Sequence, residues 1–217
     1  MLADGTLLAV AGMGCRAATL GARAAVGAGA CALVSWGMAG GLDPSLSAGA
    51  IVLPSEVVGL DGRSQSAAPQ WRARMSATIA TLAAVAGGKL LTSPKAVGSV
   101  VDKAELFRAT GAAAVDMESF AIAEVAADHG LPFLAMRVIV DTATDTLPPV
   151  VAAAADEEGR LRVRRLLGAL ARAPAELAPL VRLARRYRAA NRSLAAVARR
   201  VSWAPPALAG EPASQSS

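Results

Sequence analysis

Apolar runs alternate with segments of helical periodicity along the chain, and the pattern is clearest near its middle. Residues 112–115 form a short apolar run, which predicts a strand. Asp116 follows it, a residue type that commonly starts helices. Apolar residues then recur at helical spacing through 122–126, and Gly130 marks the end of the helix.

A second apolar run follows this helix. Residues 133–140 are apolar apart from Arg137, which predicts a strand buried on both faces of a sheet. The order strand, helix, strand predicts two parallel strands whose carboxyl ends lie at one sheet edge, where open α/β sheets bind ligands. Asp116, Glu118 and Asp141 follow these strands, so we expect their carboxylates to converge there.

The rest of the chain continues the alternation and predicts an α/β sheet flanked by helices. Strands are predicted at 7–11, 32–36, 50–53 and 89–93, helices at 16–26, 71–86 and 103–109, a glycine turn at 37–41 and a surface loop at 61–70. Long amphipathic helices are predicted over 160–201, with interruptions at Pro174 and Pro179. We expect residues 1–150 to form the α/β core, 151–203 to add basic amphipathic helices to the same domain, and 204–217 to be a disordered tail rich in Pro, Ala and Ser.

Charge is distributed unevenly along the chain. Residues 160–200 contain twelve arginines and one acid, Glu176, a charge of +11 against a total of +5, so the remainder carries −6. Such a basic block points to a polyanionic surface, either nucleic acid or anionic lipid. No apolar run reaches the roughly 18 residues of a membrane span. With no secretory signal and with Cys15 and Cys31 predicted to be buried, reduced thiols, we expect a cytoplasmic protein.

Two glycine motifs follow predicted strands. Gly12 and Gly14 with Ala17 fit the dinucleotide pattern G-x-G-x-x-A, but residues 35–37 supply no acid for a ribose at the end of the next strand. A tight turn with close helix packing is the better interpretation. The glycines within 37–41 would let a ligand approach the backbone closely.

Glu118 and Asp141 can each be interpreted in two ways. Glu118, near a helix start, either interacts favourably with the helix dipole or accepts two hydrogen bonds from a vicinal diol, as in a nucleoside sugar. Asp141 either caps the following turn at Thr142 or acts as a general acid that protonates a leaving group.

Taken together, these segments resemble a known family. WGMAGGLDPSLSAGAIVLPSEVV at 36–58, VDMES at 115–119 and RVIVDTATD at 137–145 are similar to the nucleoside phosphorylase/nucleosidase superfamily, in particular to its 5′-methylthioadenosine/S-adenosylhomocysteine nucleosidase branch. The resemblance covers most of residues 7–147. It implies a three-layer mixed sheet flanked by helices, cleavage of a purine N-glycosidic bond through an oxocarbenium-like state, a homodimer, and neither cofactor nor metal.

The resemblance also implies roles for individual residues. Glu118 would hold the ribose 2′- and 3′-hydroxyls, and Met117 would pack on the sugar. Asp141 would protonate N7 of the departing adenine, the backbone of Val97 would bind the base edge, and Met38 would contact the substrate.

Two departures from the family pattern bear on the reaction. The family begins with a strand and a loop whose glutamate activates the attacking water; this chain starts at the equivalent of the second strand, so we expect that strand and glutamate to be missing. Ser35 stands where phosphorylases place a phosphate-binding arginine. Arg16 is an alternative phosphate ligand, but the change favours hydrolysis over phosphorolysis.

The C-terminal part narrows the resemblance. Residues 147–149 and 166–190 look like the hopanoid-associated members, whose implied role is to cleave adenosylhopane to ribosylhopane and adenine. We therefore expect an adenine nucleoside with a hydrophobic tail as substrate, no nucleic acid partner, and peripheral contact with an anionic inner membrane. The alternatives are a methylthioadenosine/S-adenosylhomocysteine nucleosidase, a nucleoside phosphorylase, a non-catalytic nucleoside- or membrane-binding homologue, and basic helices that are simply solvated.

Overall fold

A mixed sheet of eight strands forms the centre of the fold. The structure is a computed structural model and describes residues 6–10, 12, 14–81, 83–154 and 163–205. The strands are β1 Leu33–Gly41, β2 Ile51–Val52, β3 Glu56–Gly59, β4 Ser64–Ser66, β5 Val85–Ala86, β6 Lys89–Thr92, β7 Ala112–Asp116 and β8 Phe133–Asp141. The helices are α1 Cys15–Gly27, α2 Pro69–Ala80, α3 Val100–Thr110, α4 Ser119–Asp128, α5 Pro149–Ala154, α6 Val163–Arg172 and α7 Leu177–Ala198, with a 3₁₀ turn at Pro174–Glu176.

The strand order across the sheet is β4-β3-β6-β7-β1-β8-β2-β5. β1 pairs in parallel with β8 from Leu33 opposite Phe133 onward, but antiparallel with β7. The predicted parallel unit of β7 and β8 is therefore wrong, because β1 lies between them and runs opposite to β7. Val115 and Asp141 both pair with Gly40, so the ends of β7 and β8 lie on either side of β1. The predicted convergence of the three carboxylates stays a prediction.

Two layers of helices cover the sheet, so the predicted three-layer mixed fold is confirmed. The alternation of β8 shows the division: Phe133 and Ala135 belong to the core beneath α1 and α4, whereas Leu134 and Met136 belong to the core beneath α2 and α7. All nine residues of β8 are buried, as its apolar run predicts.

The glycine turn predicted at 37–41 is wrong, because these residues continue strand β1. Packing explains the glycines: a Cβ on Gly40 would lie 3.3 Å from Asp141 Oδ2, and one on Gly41 would lie 3.3 Å from the Asp141 carbonyl oxygen. The glycines therefore make room for β8 and its terminal carboxylate.

Several other predicted elements also differ from the structure. Residues 6–10 form no strand, and the loop predicted at 61–70 contains β4, which pairs with β3 around Gly62 at φ +81°. The helix predicted over 71–86 ends at Ala80, and residues 85–86 form β5. Pro179 does not interrupt α7, because it lies in the first turn, where no helical N–H partner is required.

The remaining helices and strands agree with the prediction to within a few residues, including α1, α3, α4, β6 and β7. Positions 160–162 and the predicted tail from 206 onward lie outside the described residues. Cys15 and Cys31 are unpaired as expected, but both are exposed rather than buried. Within the described part of the chain, no helix combines the length and apolar character needed to cross a membrane.

Candidate functional site

A buried ion pair between Asp116 and Arg137 ties the end of β7 to the middle of β8. Arg137 Nε donates to Asp116 Oδ2 over 2.8 Å, and Arg137 Nη2 donates to the hydroxyls of Ser35, at 2.6 Å, and Ser119, at 2.8 Å. Thr92 Oγ1 donates to the other carboxylate oxygen of Asp116 over 2.7 Å. With all of these side chains buried, the cluster is a saturated polar network inside the sheet.

Asp116 also forms the start of helix α4. The backbone N–H of Ser119 donates to Asp116 Oδ2 over 3.2 Å, which satisfies a donor that the first helical turn leaves free. The predicted helix-start role of Asp116 is confirmed, and its carboxylate is committed to this role and to Arg137. Of the acids that the sequence placed at this edge, Glu118 and Asp141 remain for chemistry.

Glu118 stands at the N-terminus of helix α1. The N–H of Gly14 donates to Glu118 Oε1 over 2.8 Å, and the N–H of Met117 donates to Oε2 over 3.3 Å. Burial raises the pKa of Glu118, although these backbone donors oppose the increase. Each carboxylate oxygen can accept a further hydrogen bond, so the geometry retains the capacity to hold two neighbouring hydroxyls.

Cys15 fixes the adjoining backbone. Its Sγ donates to the carbonyl oxygen of Met117 over 3.1 Å, which links the first residue of α1 to the segment before α4. Partial desolvation at this exposed position raises the pKa of the Cys15 thiol, and the neighbouring Glu118 raises it further, so the thiol is retained as a donor. Met117 is half-buried beside this link.

Asp141 ends strand β8 and forms an ion pair with Lys103 of α3. The same ammonium group donates to the carbonyl oxygens of Thr142, at 2.8 Å, and Asp145, at 2.9 Å. Burial raises the pKa of Asp141, and the positive charge of Lys103 partly offsets this increase. A carboxyl group that retains its proton more strongly than usual suits general acid catalysis.

The turn after Asp141 is capped by another acid. Asp145 Oδ2 accepts from Thr142 N over 2.8 Å and from Thr142 Oγ1 over 2.7 Å, and it also pairs with Arg186 of α7. The alternative role considered for Asp141, capping the turn at Thr142, is therefore filled by Asp145. Asp141 is left with Lys103.

A cavity of about 370 Å³ lies beside Asp141. Its walls are the turn after β8 and the first half of α7, with Leu147, Leu183 and Arg186 among the lining residues. It therefore combines apolar walls with a carboxylate of raised pKa, a common combination in small-molecule sites. Among the residues that the structure describes, no cluster of three or more His, Cys, Asp or Glu is placed to hold a metal.

The two remaining candidate substrate-binding residues, Val97 and Met38, lie in different surroundings. Val97 is half-buried, and its segment is joined to the turn after β8 because Leu147 N donates to Gly98 O over 2.9 Å. The side chain of Met38 packs in the core beneath α2 and α7, whereas Ser35 and Arg137 belong to the opposite face of the sheet. Their substrate contacts remain predictions.

Sequence reasoning missed two residues of this region. Arg137 gave a signal, since it was the only charged residue in an otherwise apolar run, and such a residue needs a buried partner. Lys103 gave none: it lies in a helix of mixed polarity, and only the tertiary structure places its side chain in the interior.

Comparison with known proteins identifies the family and the fold. Residues 3–173 match the family model of the phosphorylase superfamily. No curated protein matches the chain. The fold is similar to 5′-methylthioadenosine/S-adenosylhomocysteine nucleosidase from Helicobacter pylori, with a TM-score of 0.63 and 17% identity over 88% of this chain and 78% of that one.

Two further structures show the same likeness of fold. The corresponding nucleosidase from Neisseria meningitidis gives a TM-score of 0.58 and 24% identity over 62% of this chain and 67% of that one. A futalosine hydrolase mutant from Helicobacter pylori gives 0.57 and 20% identity over 60% and 67%.

Proposed function

Because the chain belongs to the phosphorylase superfamily, we propose that it is a nucleosidase that hydrolyses the N-glycosidic bond of an adenine nucleoside. The observation that carries the proposal is Asp141, a carboxyl group of raised pKa that lines a cavity at the end of a central strand. Glu118 supports it, because its two oxygens can accept hydrogen bonds from neighbouring sugar hydroxyls.

In the proposed reaction, Asp141 gives its proton to N7 of adenine while the bond between N9 and C1′ breaks. The electron pair of that bond leaves with the base, and the sugar passes through an oxocarbenium-like state that a water molecule captures at C1′. The captured water loses one proton to solvent, which leaves a hydroxyl group on C1′. Glu118 would orient the sugar through its 2′- and 3′-hydroxyls, with Met117 packed beside it. Met38 and the backbone of Val97 would complete the contacts with the substrate.

Hydrolysis is favoured over phosphorolysis by the position of Ser35. Its hydroxyl accepts a hydrogen bond from Arg137 and another from Ser119, so it belongs to the buried network of the sheet. A serine held in this way offers no positive charge to a phosphate ion. We therefore expect adenine release to be independent of added phosphate.

The test is the release of free adenine from adenine nucleosides without phosphate. Asp141→Asn should lower kcat by about 100-fold or more, the scale of positioned acid catalysis. Asp128→Asn, an equivalent change at an exposed position, is the matched control and should retain full turnover. Equal turnover in the two variants would remove Asp141 from the reaction, and absence of adenine release from the unaltered chain would refute the nucleosidase itself.

The substrate we propose carries a hydrophobic tail on its 5′ carbon, as in adenosylhopane, so that the products are adenine and ribosylhopane. The C-terminal helices support this proposal. Helix α6 makes its principal contacts with α5 and the 3₁₀ turn rather than with the sheet, and Leu167 on it is 61% exposed. Arg164 and Arg165 lie on the same short helix, which contains no acid.

This combination suits attachment to an anionic membrane surface, because exposed apolar side chains and arginines then act together. Helix α7 adds exposed Leu177 and Val181 near Arg182, and Arg182 also lines the cavity beside Asp141. A cytoplasmic enzyme bound in this way at the inner membrane would receive a lipid-like substrate close to its catalytic acid.

Sedimentation with neutral and anionic vesicles tests the attachment. Binding should rise with anionic lipid and fall with salt, since each arginine near such a surface contributes about 1 kcal/mol. The double variant Arg164→Gln/Arg165→Gln should bind less, whereas Arg16→Gln/Arg23→Gln, which removes two exposed arginines from α1, should bind normally. Equal, negligible binding of the unaltered chain to both vesicle types would mean that the arginines are merely solvated.

We propose that the protein forms a homodimer. An apolar cleft of about 270 Å³, lined by Leu42, Val100, Ala104 and Phe107 among others, supports a contact through α3. Light scattering after gel filtration would measure the mass directly, and a monomer at micromolar concentration would refute the dimer.

A further inference from the structure

Lys103 is a fully buried lysine with three hydrogen-bond acceptors. Its relative exposure is 0%, and its ammonium group contacts the carboxylate of Asp141 and the carbonyl oxygens of Thr142 and Asp145. An ammonium group has three N–H donors, so every donor is used. The side chain therefore joins helix α3 to the end of β8 and to the turn that follows it.

The position of Lys103 is costly unless its charge is compensated. A buried ammonium loses its hydration, and that loss is offset only by a close partner with good geometry. Asp141 of β8 is that partner, while Asp145 from the turn and Arg186 from α7 are the next charges, and these two pair with each other. β1 presents Gly40 and Gly41 to Asp141 and adds no charge.

The contact with Lys103 occupies one oxygen of Asp141. Lys103 donates to Oδ2, and among the described residues no other residue donates a hydrogen bond to Oδ1. The side chain of Asp141 retains 12% exposure and lines the cavity. One oxygen is thus fixed within the protein, and the other is available to a ligand.

We propose that Lys103 is a positioning residue for proton transfer by Asp141: it fixes Oδ2, leaves Oδ1 for the leaving base, and holds the 142–145 turn in place. This inference rests on the proposed nucleosidase function. When Asp141 gives its proton from Oδ1 to N7, a carboxylate forms next to the ammonium group. A preorganised positive charge stabilises the negative charge that develops in that step.

The charge of Lys103 has a consequence that a purely structural contact lacks. Because Lys103 lowers the pKa of Asp141 against the effect of burial, removing the charge should raise that pKa. Asp141 would then keep its proton to higher pH and give it up less readily. Turnover should fall, and the alkaline limb of the pH profile, where the acid loses its proton, should move to higher pH.

The experiment measures kcat for adenine release across the pH range in the unaltered chain, Lys103→Met and Glu105→Gln. Glu105 lies on the same helix at an exposed position and serves as the matched control. We expect Lys103→Met to lose about 10-fold or more in kcat. The alkaline limb of its kcat–pH profile should move to higher pH by about 1–3 units, the scale of the pKa shift that a nearby opposite charge causes. A loss of turnover with an unmoved limb would overturn the proposal, as would unchanged turnover.

A stability measurement separates this inference from the proposed function. Urea unfolding of Lys103→Met should show a midpoint that falls more steeply, as the pH rises above the ordinary carboxyl pKa, than in the unaltered chain, because Asp141 then ionises without a partner. The steeper fall should disappear in Lys103→Met/Asp141→Asn. Equal pH dependence in both backgrounds would refute the coupling, whether or not the unaltered chain releases adenine. If Lys103→Met does not fold, Lys103→Gln, which can still reach a carbonyl, replaces it in the same comparison.

Discussion

The two buried ion pairs of the sheet, Asp116 with Arg137 and Asp141 with Lys103, differ in what surrounds the carboxylate. The side chains of the first pair are 1% and 3% exposed, and Asp116 receives further hydrogen bonds from Thr92 and the α4 backbone. In the second pair Lys103 is completely buried, but Asp141 is 12% exposed and borders a cavity. A saturated pair supports the fold, whereas a pair with an available oxygen can also perform chemistry.

Strand β1 passes both pairs, and its glycines accommodate each of them. A Cβ on Gly37 would lie 3.6 Å from the Arg137 guanidinium, an ordinary contact, whereas one on Gly40 would lie 3.3 Å from Asp141. Strand β1 therefore has room for an added Cβ beside the first ion pair but is closely packed beside the second. This difference explains how one short glycine-rich strand positions both groups.

The largest expected effect is on stability, from breaking the saturated pair. Arg137→Met removes the partner of Asp116 and leaves a buried carboxylate, which should cost about 3–5 kcal/mol in the free energy of unfolding. Urea denaturation measures it. Arg63→Met is the matched control, because the ion pairs of Arg63 with Asp61 and Glu124 are exposed and screened by solvent, so its loss should be much smaller. Similar losses in the two variants would show that the Asp116 network is not the structural one.

A smaller effect is expected where β1 touches the second pair. Gly40→Ala places a methyl group against Asp141 in a packed region, and such overpacking costs about 1–3 kcal/mol. Because the displaced group is Asp141, kcat for adenine release should fall together with stability. Gly27→Ala, at the end of α1 where the added carbon would meet no atom of another element within 4 Å, should leave kcat unchanged and cost no stability, because alanine favours a helix over glycine. Full activity in Gly40→Ala would mean that Asp141 tolerates movement.

The contrast between the pairs also explains what the sequence could predict. The apolar runs at 112–115 and 133–140 identified two central strands, and Asp116 identified the start of α4, because burial and helix capping act locally. The position of β1 between these strands was not predictable, since strand order depends on the whole chain. For the same reason the sequence pattern predicts a turn at the glycines of β1, whereas Gly40 and Gly41 make room for Asp141 on a neighbouring strand.

Of the two basic partners, the sequence indicates Arg137, the partner of Asp116, but not Lys103, the partner of Asp141. Arg137 could be recognised as exceptional because a charge in an apolar strand requires compensation. Lys103 could not, because a lysine in a helix of mixed polarity is ordinarily exposed. The sequence correctly predicts Glu118 near a helix start. It does not predict that Glu118 also accepts a hydrogen bond from Gly14 N at the start of α1, 104 residues away along the chain. The spacing of residues along the sequence does not predict contacts between residues so far apart in the chain.

The smallest expected effect concerns the contact between the turn and the basic helix. Arg186 of α7 pairs with Asp145, and their side chains are 38% and 26% exposed. Solvent screens such a pair, so Arg186→Met should change the free energy of unfolding by about 1 kcal/mol or less. Asp145 would keep its hydrogen bonds from Thr142, and Lys103 would keep its bond to the Asp145 carbonyl, so the position of Asp141 should survive. Urea denaturation and kcat at one pH suffice to test this. Arg185→Met on the same helix, an exposed arginine that does not line the cavity and for which no ion pair is found among the described residues, is the control for loss of charge alone. A loss of turnover in Arg186→Met but not in Arg185→Met would show that the second ion pair extends through Asp145 to α7, and that the basic helix acts on the acid as well as on its surroundings.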